Sequence, residues 1–526
     1  MTNLIDKAIA YVNPKKGVER ARDRLRINAF NGFYGASKSR KPLLNWKTQQ
    51  STPESIMSWD RSLLTDRSYD LDRNNPLASG ALSSLEENII GSGLRVQSQI
   101  NAKYLGMEEE QAQEWQSEAE RLFKLWAQDS FLADAKREQN FYEMQSTGFI
   151  SSMLTGDVFA QRQYNRNADF LGTSWRLIDS QRVCNPNNAT DTRRMSQGIE
   201  RDSSGAPRFY HIRTSHPYDF NVPAEWVKVS PNSADGFTKD FIHAFRKRAI
   251  GENRGRPILA PVIEALKQLG KYTEAELQAA VVSGLFTVFV KSPDGSAEIE
   301  EYDGTERASE PSAKDYSLGN GAMVGLADGE DVTFANPARP NAGFDPFVLA
   351  ILRQIGVCLG LPYELMVKHF TASYSASRAA LNEAQRSFRQ RRKWFGGSFC
   401  QKIYESVIIE CVAKGYLSAP GFFDDYQVRA SYLATTWTGD AWGSLDPVKD
   451  VTAAEKRLSL GLTTLSQETL EMTGGDYDKN AMQRAKEYKI EKGVRPNESA
   501  RSDTEQTLGD DRRKPEDDVL NSDEDE

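Results

Sequence analysis

The sequence predicts a mainly helical α+β chain, and three observations carry that reading. Apolar residues recur at three- and four-residue steps through 259–277, 344–359 and 381–407, the spacing of one helix face. Between Asp157 and Phe245 the period shortens to two, with Gly, Pro and Asn at the breaks, which is strand-and-hairpin patterning. A length of 526 residues allows a large core and more than one domain.

Taken in order, residues 1–50 read as a basic arm with one short helix near Val18–Phe30. Lys15 to Lys47 hold ten basic residues against Glu19 and Asp23, and Gly32, Gly35 and Pro42 interrupt the stretch. Thr52-Pro53-Glu54 opens a helix, because a hydroxyl can cap and proline needs no amide partner in the first turn. Asn75 caps the next helix with Pro76 at its first position, and Gly91 ends it before a strand at Leu94–Gln97. Arg67, Asp70 and Arg73 are expected to brace the turn between those two helices. An amphipathic helix over Glu108–Trp126 turns Trp115, Leu122, Phe123 and Trp126 inward, and another covers Asn140–Gly156. VFAQRQY, SWRLIDS, GIERDSSGAPRFYHIR and WVKVS then read as short antiparallel strands, with RDSSGAPR a turn.

Arg254-Gly255-Arg256-Pro257 leads into a long helix on Leu259, Val262, Ile263, Leu266, Leu269, Tyr272 and Leu277. At about 25 residues it would span roughly 38 Å. Residues 285–342 are an island in which the strands LFTVFVKS and EDVTFANP flank an acidic, turn-rich stretch. A second long helix follows, opened by Asp345 as cap and Pro346, carried by Phe344, Phe347, Val348, Ile351, Leu352, Ile355 and Leu359, and stopped by Gly360 and Pro362. A polar loop, VKHFTASYSASR, presents Lys368, His369, Tyr374 and Arg378. The next helix starts near Ser377 and runs past Val412 on Leu381, Phe388, Phe395, Phe399, Ile403 and Val407. Arg386, Arg389 and Lys393 stack on another of its faces, beside Arg391 and Arg392. On the residues alone this reads first as an ordinary helical hairpin with solvated arginines. An aromatic stretch at 415–443 and two or three further helices complete the ordered chain.

The net charge of −8 is segregated. Residues 498–526 hold twelve acidic and four basic residues, so that tail alone carries −8, and the remaining chain has sixty-two of each sign. Both ends are expected to be solvated. The N-terminus lacks a long apolar signal segment and no apolar run is long enough to span a membrane, which points to a chain made in a cytoplasm with no membrane partner. Four separated cysteines without CxxC spacing and four histidines without HExxH spacing indicate neither a disulfide framework nor a metal site. No phosphate loop, dinucleotide fingerprint or nucleophile elbow occurs, so neither catalytic residues nor a cofactor is expected. The acidic doublets Glu86-Glu87, Glu300-Glu301 and Asp424-Asp425 are the nearest thing to a metal-dependent nuclease site, and such pairs are far more often solvated.

The segments YGASKSRKPLLNW, RSYDLDRNNPLASGALSSLEENIIGSGLRVQ, HAFRKRAIGENRGRPILAPVIEALKQLGKY, LPYELMVKHFTASYSASRAALNEAQRSFRQRR and WTGDAWGSLDPVKDVTAAEKRLSLGLTTL resemble, in this order, blocks of the lambda family of phage portal proteins. The resemblance runs from about Phe33 to Gly493. It implies a portal fold and a ring, usually of twelve copies, at one capsid vertex: a nucleus of head assembly, a channel for DNA packaging and ejection, and a dock for terminase and head–tail joining proteins. The partners it implies are other copies of the chain, double-stranded DNA without sequence preference, the major capsid protein and scaffold, the terminase large subunit and the joining proteins. The implied place is the virion, after assembly in the host cytoplasm.

Mapped onto this chain, 1–50 is the arm, 51–257 most of the wing, 258–284 and 343–360 the stem helices, and 285–342 the clip. Residues 361–378 are the tunnel loop, 379–444 a long helix and the rest of the wing, 445–497 the crown, and 498–526 the acidic tail. The resemblance makes Lys368, His369, Tyr374 and Arg378 DNA-facing. It makes Arg386, Arg389 and Lys393 a subunit-interface or channel stripe, and Glu298, Glu300, Glu301 and Asp303 docking residues of the clip. The competing expectations are a DNA-processing enzyme, namely a metal-dependent nuclease, and a capsid adaptor or scaffold that forms no channel.

Overall fold

A computed structural model of the full chain describes residues 11–29, 41, 45, 48, 51–284, 288–291, 331–334, 343–369, 374–443 and 446–494. Met1–Ile56 form one compact unit and Met57–Glu526 another. The first contains helix α1 (Pro14–Ala29), within two residues of the expected end and four earlier at its start.

α2 (Pro53–Asn74) begins as expected, with the Ser55 amide donating to Thr52 Oγ1 at 3.2 Å. The turn after it is organised by Asn75. Its Oδ1 accepts from the amides of Leu77 (3.1 Å) and Ala78 (3.0 Å) to start α3 (Pro76–Ile89), and its Nδ2 reaches the Leu266 carbonyl at 3.3 Å. The expected brace is different: Asp70 accepts from Asn74 and Arg73 lies over Tyr69, contacts within the last turns of α2. β1 (Arg95–Ser98) follows, one residue later than expected. After the short α4 (Ala102–Leu105) come α5 (Glu109–Gln128), α6 (Ser130–Ala133) and α7 (Phe141–Thr155). α5 and α7 each open with a capping box, Glu108 with Gln111 and Asn140 with Glu143, and Gly156 closes α7 at φ +88°.

Two small antiparallel sheets account for the period-two region. β2 (Asp157–Tyr164) sits between β3 (Thr173–Ile178) and β8 (Phe241–Phe245). The other sheet runs β4 (Met195–Ser196), β5 (Ile199–Arg201), β6 (Pro207–Arg213) and β7 (Trp226–Val229). Phe159, Ile178, Ile199, Tyr210, Ile212 and Phe241 are buried together as a core of their own.

α8 (Ile263–Gly284) starts five residues later than the expected stem helix, since 258–262 form turns. Pro257 and Pro261 disfavour helical backbone at the residues before them, and the Ala260 and Val262 amides bond three residues back, to Pro257 and Leu259. In the 285–342 island, β9 (Val288–Lys291) and β10 (Asp331–Phe334) pair antiparallel with Val290 opposite Val332; the rest lies outside the described residues.

α9 (Phe344–Leu359) has Gly343 at its cap, and Asp345 falls in the first turn instead of capping it; there the carboxylate faces the positive end of the helix dipole. After α10 (Tyr363–Val367), α11 (Tyr374–Phe395) runs through a single π-turn at Gly396–Cys400 into α12 (Gln401–Ala413). Gly396 sits against Trp437: a Cβ there would lie 2.9 Å from the Trp437 Cβ, so only glycine lets the tryptophan onto the π-turn. Then come α13 (Tyr426–Tyr432), β11 (Thr435–Thr438), which pairs with β1, and α14 (Pro447–Ser459), α15 (Leu465–Thr473) and α16 (Tyr477–Val494).

The main core joins α3, α5, α7 and α12. Phe123 meets Phe141, Tyr404 and Trp437 edge-on at centroid distances of 5.6, 5.1 and 6.0 Å, and the buried Trp126 Nε1 donates to the Thr173 carbonyl at 2.7 Å. This fixes the root of α11 against the rest.

Candidate functional site

Three consecutive helices, α9, α10 and α11, frame the stretch singled out in the sequence. Gly360 takes φ +69°, turning the chain out of α9. A Cβ built on it would lie 3.0 Å from Ser387 Oγ, so α11 crosses close behind the turn. Arg391 of α11 donates from Nη2 to the Leu359 carbonyl, one of the acceptors that a helix end leaves unsatisfied. Arg392 does the same for α3, with Nε to the Ile89 carbonyl at 2.9 Å and Nη2 to the Asn88 carbonyl at 3.1 Å, its guanidinium 4.5 Å from the Trp442 ring centroid. Burial pushes Arg391 and Arg392 each down to about 10, and both remain cationic near neutrality. Arg386, Arg389 and Lys393 stay exposed. Arg386 pairs with Glu383 at 3.4 Å, both side chains more than three-quarters exposed, a pair of little energetic weight. Arg389 lies 5.4 Å from the Trp442 centroid. The basic stripe is therefore one face of α11, and the two arginines beside it are structural clamps.

The polar loop is shorter than expected. α10 occupies part of 361–378 and α11 begins at Tyr374, three residues before Ser377, so Tyr374 and Arg378 belong to a helix and not to the loop. Ala376, Ala379, Ala380 and Leu381 favour helix, and no Gly or Pro stands before them to stop it. Lys368 adopts φ +51° at the end of α10, with Nζ 3.8 Å from a Glu87 carboxylate oxygen in a largely exposed pair. The His369 amide donates to the Glu364 carbonyl at 3.1 Å. Arg378 Nη2 meets Asp450 Oδ1 at 2.6 Å and ties the first turns of α11 to α14. Residues 370–373, and Glu298, Glu300, Glu301 and Asp303, lie outside the described residues.

A second constellation escaped the sequence reading. Asp157, fully buried at the start of β2, gathers donors from Arg61, Ser180, His243 and the Arg254-Gly255 pair. Its Oδ2 accepts from Arg254 Nε at 2.7 Å and from Arg61 Nη2, and its Oδ1 accepts from the Gly255 amide at 2.7 Å and from His243 Nε2 at 3.0 Å. Arg254 also donates to the carbonyls of Ser180, Val183 and Gln197, each at 2.9 Å. Arg61 reaches the carbonyls of Gly255 at 2.6 Å and Thr155 at 2.9 Å. Burial alone would raise the Asp157 carboxyl, but Arg254, Arg61 and His243 hold it far below the usual range. Burial pushes the His243 imidazole down to about 4 despite the carboxylate, so near neutrality the neutral ring donates Nε2–H. Gly156 and Gly255 touch at this point: a Cβ on Gly255 would stand 1.9 Å from the Gly156 carbonyl oxygen. The hub thus locks the approach to α8 onto the β2 sheet. Its side chains are between eleven and nearly two hundred positions apart, and the only local trace was Arg254-Gly255 ahead of the long helix.

Of the three acidic doublets, two carry structural contacts. Glu86 accepts from Ser146 Oγ at 2.6 Å, Glu87 faces Lys368, and Asp425 caps α13 through the Gln427 amide at 2.7 Å. Glu300-Glu301 lies outside the described residues. Among the described residues no group of three or more His, Cys, Asp or Glu side chains is arranged to hold a metal, and no helix is long and apolar enough to cross a membrane.

Comparison with known proteins finds a match over residues 39–392 to the family described as phage portal protein, lambda family. The chain is 25% identical to portal protein B of Escherichia phage lambda over 482 residues, covering 88% of this chain and 90% of that one. It is also 25% identical to the portal protein of Escherichia phage N15, with the same coverage. Among solved structures it is similar to a chain in the virion of a native gene transfer agent particle, at 12% identity and a TM-score of 0.44 over 78% of this chain and 92% of that one. A chain in the neck of the native particle, computed with C12 symmetry, also has 12% identity and a TM-score of 0.44, over 79% and 98%.

Proposed function

This chain belongs to the lambda family of phage portal proteins, and on that footing we propose that twelve copies close the ring at one capsid vertex around a channel for double-stranded DNA. The observation that carries the channel reading is the frame just described: α11 is stapled to the end of α9 by Arg391 on Leu359 and to α14 by Arg378 on Asp450, and Lys368 and His369 stand exposed between α10 and α11. In this reading α8 and α9 are the stem, α8 reaching about 33 Å at about 1.5 Å per residue. Residues 285–342 are the clip, 368–373 the tunnel loop, and α14 to α16 the crown.

A channel must let any sequence slide. Duplex DNA presents about one negative charge per 1.7 Å, and many fixed cations would hold it fast. A chain whose body has equal numbers of acids and bases, with Lys368 and His369 as the light contacts, suits passage. Arg378 is engaged by Asp450 within the subunit, so its part is to hold α11, and Tyr374 starts that helix. Arg386, Arg389 and Lys393 face acids of a neighbouring copy.

The role is structural, without catalysis: packaging energy comes from the terminase, which docks on Glu298, Glu300, Glu301 and Asp303 of the clip before head–tail joining proteins replace it. Capsid protein and scaffold meet the wing, and assembly takes place in the host cytoplasm. Electron microscopy of the purified protein, with native mass on the same sample, tests the ring. Rings of about a dozen subunits with a central hole are expected; a monomer that fails to assemble even with scaffold present refutes it. Charge reversal at the four clip acids should abolish terminase binding while rings still form; unchanged binding removes the docking assignment.

A further inference from the structure

A cavity of about 120 Å³ lies where the end of α7, the segment after β8, the approach to α8 and the middle of α11 converge. Phe149, Met153, Pro257 and Trp394 supply apolar wall. The charged lining is of one sign: Arg246, Lys247, Arg248, Arg256 and Arg391, with no acidic residue among the lining side chains. Among the described residues no ion pair joins any of the five to a carboxylate; Glu252 spends Oε2 on the backbone amides of Arg248 and Ala249, and Asp157 is engaged by Arg61 and Arg254. The floor is Arg391, which is only 8% exposed. Its Nη2 is committed to the Leu359 carbonyl, while Nη1 is fully enclosed and meets no protein acceptor. Arg256 is half-buried in the wall, and Arg246, Lys247 and Arg248 form the open rim.

Converging like charges repel, and a buried cationic donor without an acceptor is costly. After burial, Arg246 and Arg248 are the neighbours that depress Arg391. A single small anion would relieve the repulsion. We propose that this cavity binds one compact oxyanion of the phosphate class on the guanidinium groups of Arg248 and Arg256, above the buried charge of Arg391. Planar guanidinium forks suit tetrahedral oxyanions, and the space holds a few waters or one such ion. The phosphate is free in solution or belongs to a nucleic acid; the small volume of the cavity favours the free ion, because a duplex backbone would have to enter past the rim. Bound there, the anion ties α11 to the segment that feeds α8. The inference stands on these residues and not on the channel reading.

The test uses the full chain, whose assembly state is read separately by microscopy, so that loss of one reading leaves the other intact. Thermal unfolding is followed as inorganic phosphate replaces chloride at constant ionic strength and pH. A saturable rise in midpoint is expected for the parent protein. Losing one charge-assisted bond should weaken half-saturation about tenfold or more in Arg248→Gln and in Arg256→Gln. These wall and rim variants carry the test, because Arg391→Gln also removes the Leu359 contact. No saturable response, or an equal response in both variants, overturns the proposal. Competition by a short duplex for the phosphate-dependent shift would assign the site to nucleic-acid phosphate, and its absence to the free ion.

Discussion

Asp157→Asn should be among the most damaging single substitutions in this protein. The change keeps the side-chain volume and removes one negative charge from a site with no solvent exposure. Two guanidinium groups, Arg61 and Arg254, then share a buried site with no anion, and an asparagine NH2 faces donors where an acceptor stood. Removing one partner of a buried ion pair costs about 3–5 kcal/mol, and here two cations are stranded. Against that, Arg254 keeps its three carbonyl acceptors and Arg61 keeps two, so we expect a loss of about 4 kcal/mol. Unfolding midpoints of sizeable domains move by about 2–4 °C per kcal/mol, which puts the fall at roughly 8–16 °C by differential scanning fluorimetry. A double-mutant cycle with Arg61→Leu sharpens the test: with one stranded cation gone, the double variant should be clearly less destabilised than the sum of the singles. A fall below about 2 °C, or strict additivity in the cycle, would refute the claim that this carboxylate holds the hub together.

The same hub predicts a pH dependence. Burial pushes His243 down to about 4 in the folded chain from its ordinary 6.5, so between those values the unfolded chain binds more protons, and stability rises with pH up to about 6.5 and then levels. The depressed Asp157 carboxyl adds a further loss as pH falls below the ordinary aspartate value of 3.8. At about 1.4 kcal/mol per unit the histidine accounts for about 3 kcal/mol, and His243→Gln should flatten the midpoint-versus-pH curve there; identical slopes would count against it. Gly255→Ala should abolish soluble expression or reduce it severely, because its Cβ would occupy the space of the Gly156 carbonyl; parent-like yield and midpoint would contradict the packing. Replacing Phe370–Ser373 with two glycines should leave ring formation intact and lower packaged DNA or phage yield several-fold, and normal yield would remove the loop from the DNA path.

Much of the architecture was legible because it is local. Asn75-Pro76, Asn140, Gly156 and Gly360 mark helix ends through contacts within a turn of themselves, and these boundaries stand in the structure. The errors are local conflicts that other terms decided. Prolines at 257 and 261 delayed α8, and the alanines after Tyr374 extended α11 into what its polar composition suggested was loop.

By itself the sequence determined the order of helices and strands, the segregation of charge and the family, since propensity, capping, periodicity and motif order are written along the chain. It did not determine which of five neighbouring basic residues on α11 are clamps and which stay exposed, because Arg391 and Arg392 are set apart from Arg386, Arg389 and Lys393 by the helix-end carbonyls packed against them. Nor did it determine the Asp157 hub or the cationic cavity. Those depend on bringing α2, β2, β8 and the approach to α8 to one place, and α7, the segment after β8 and α11 to another. Burial makes the charges there consequential, and burial is a property of the folded chain.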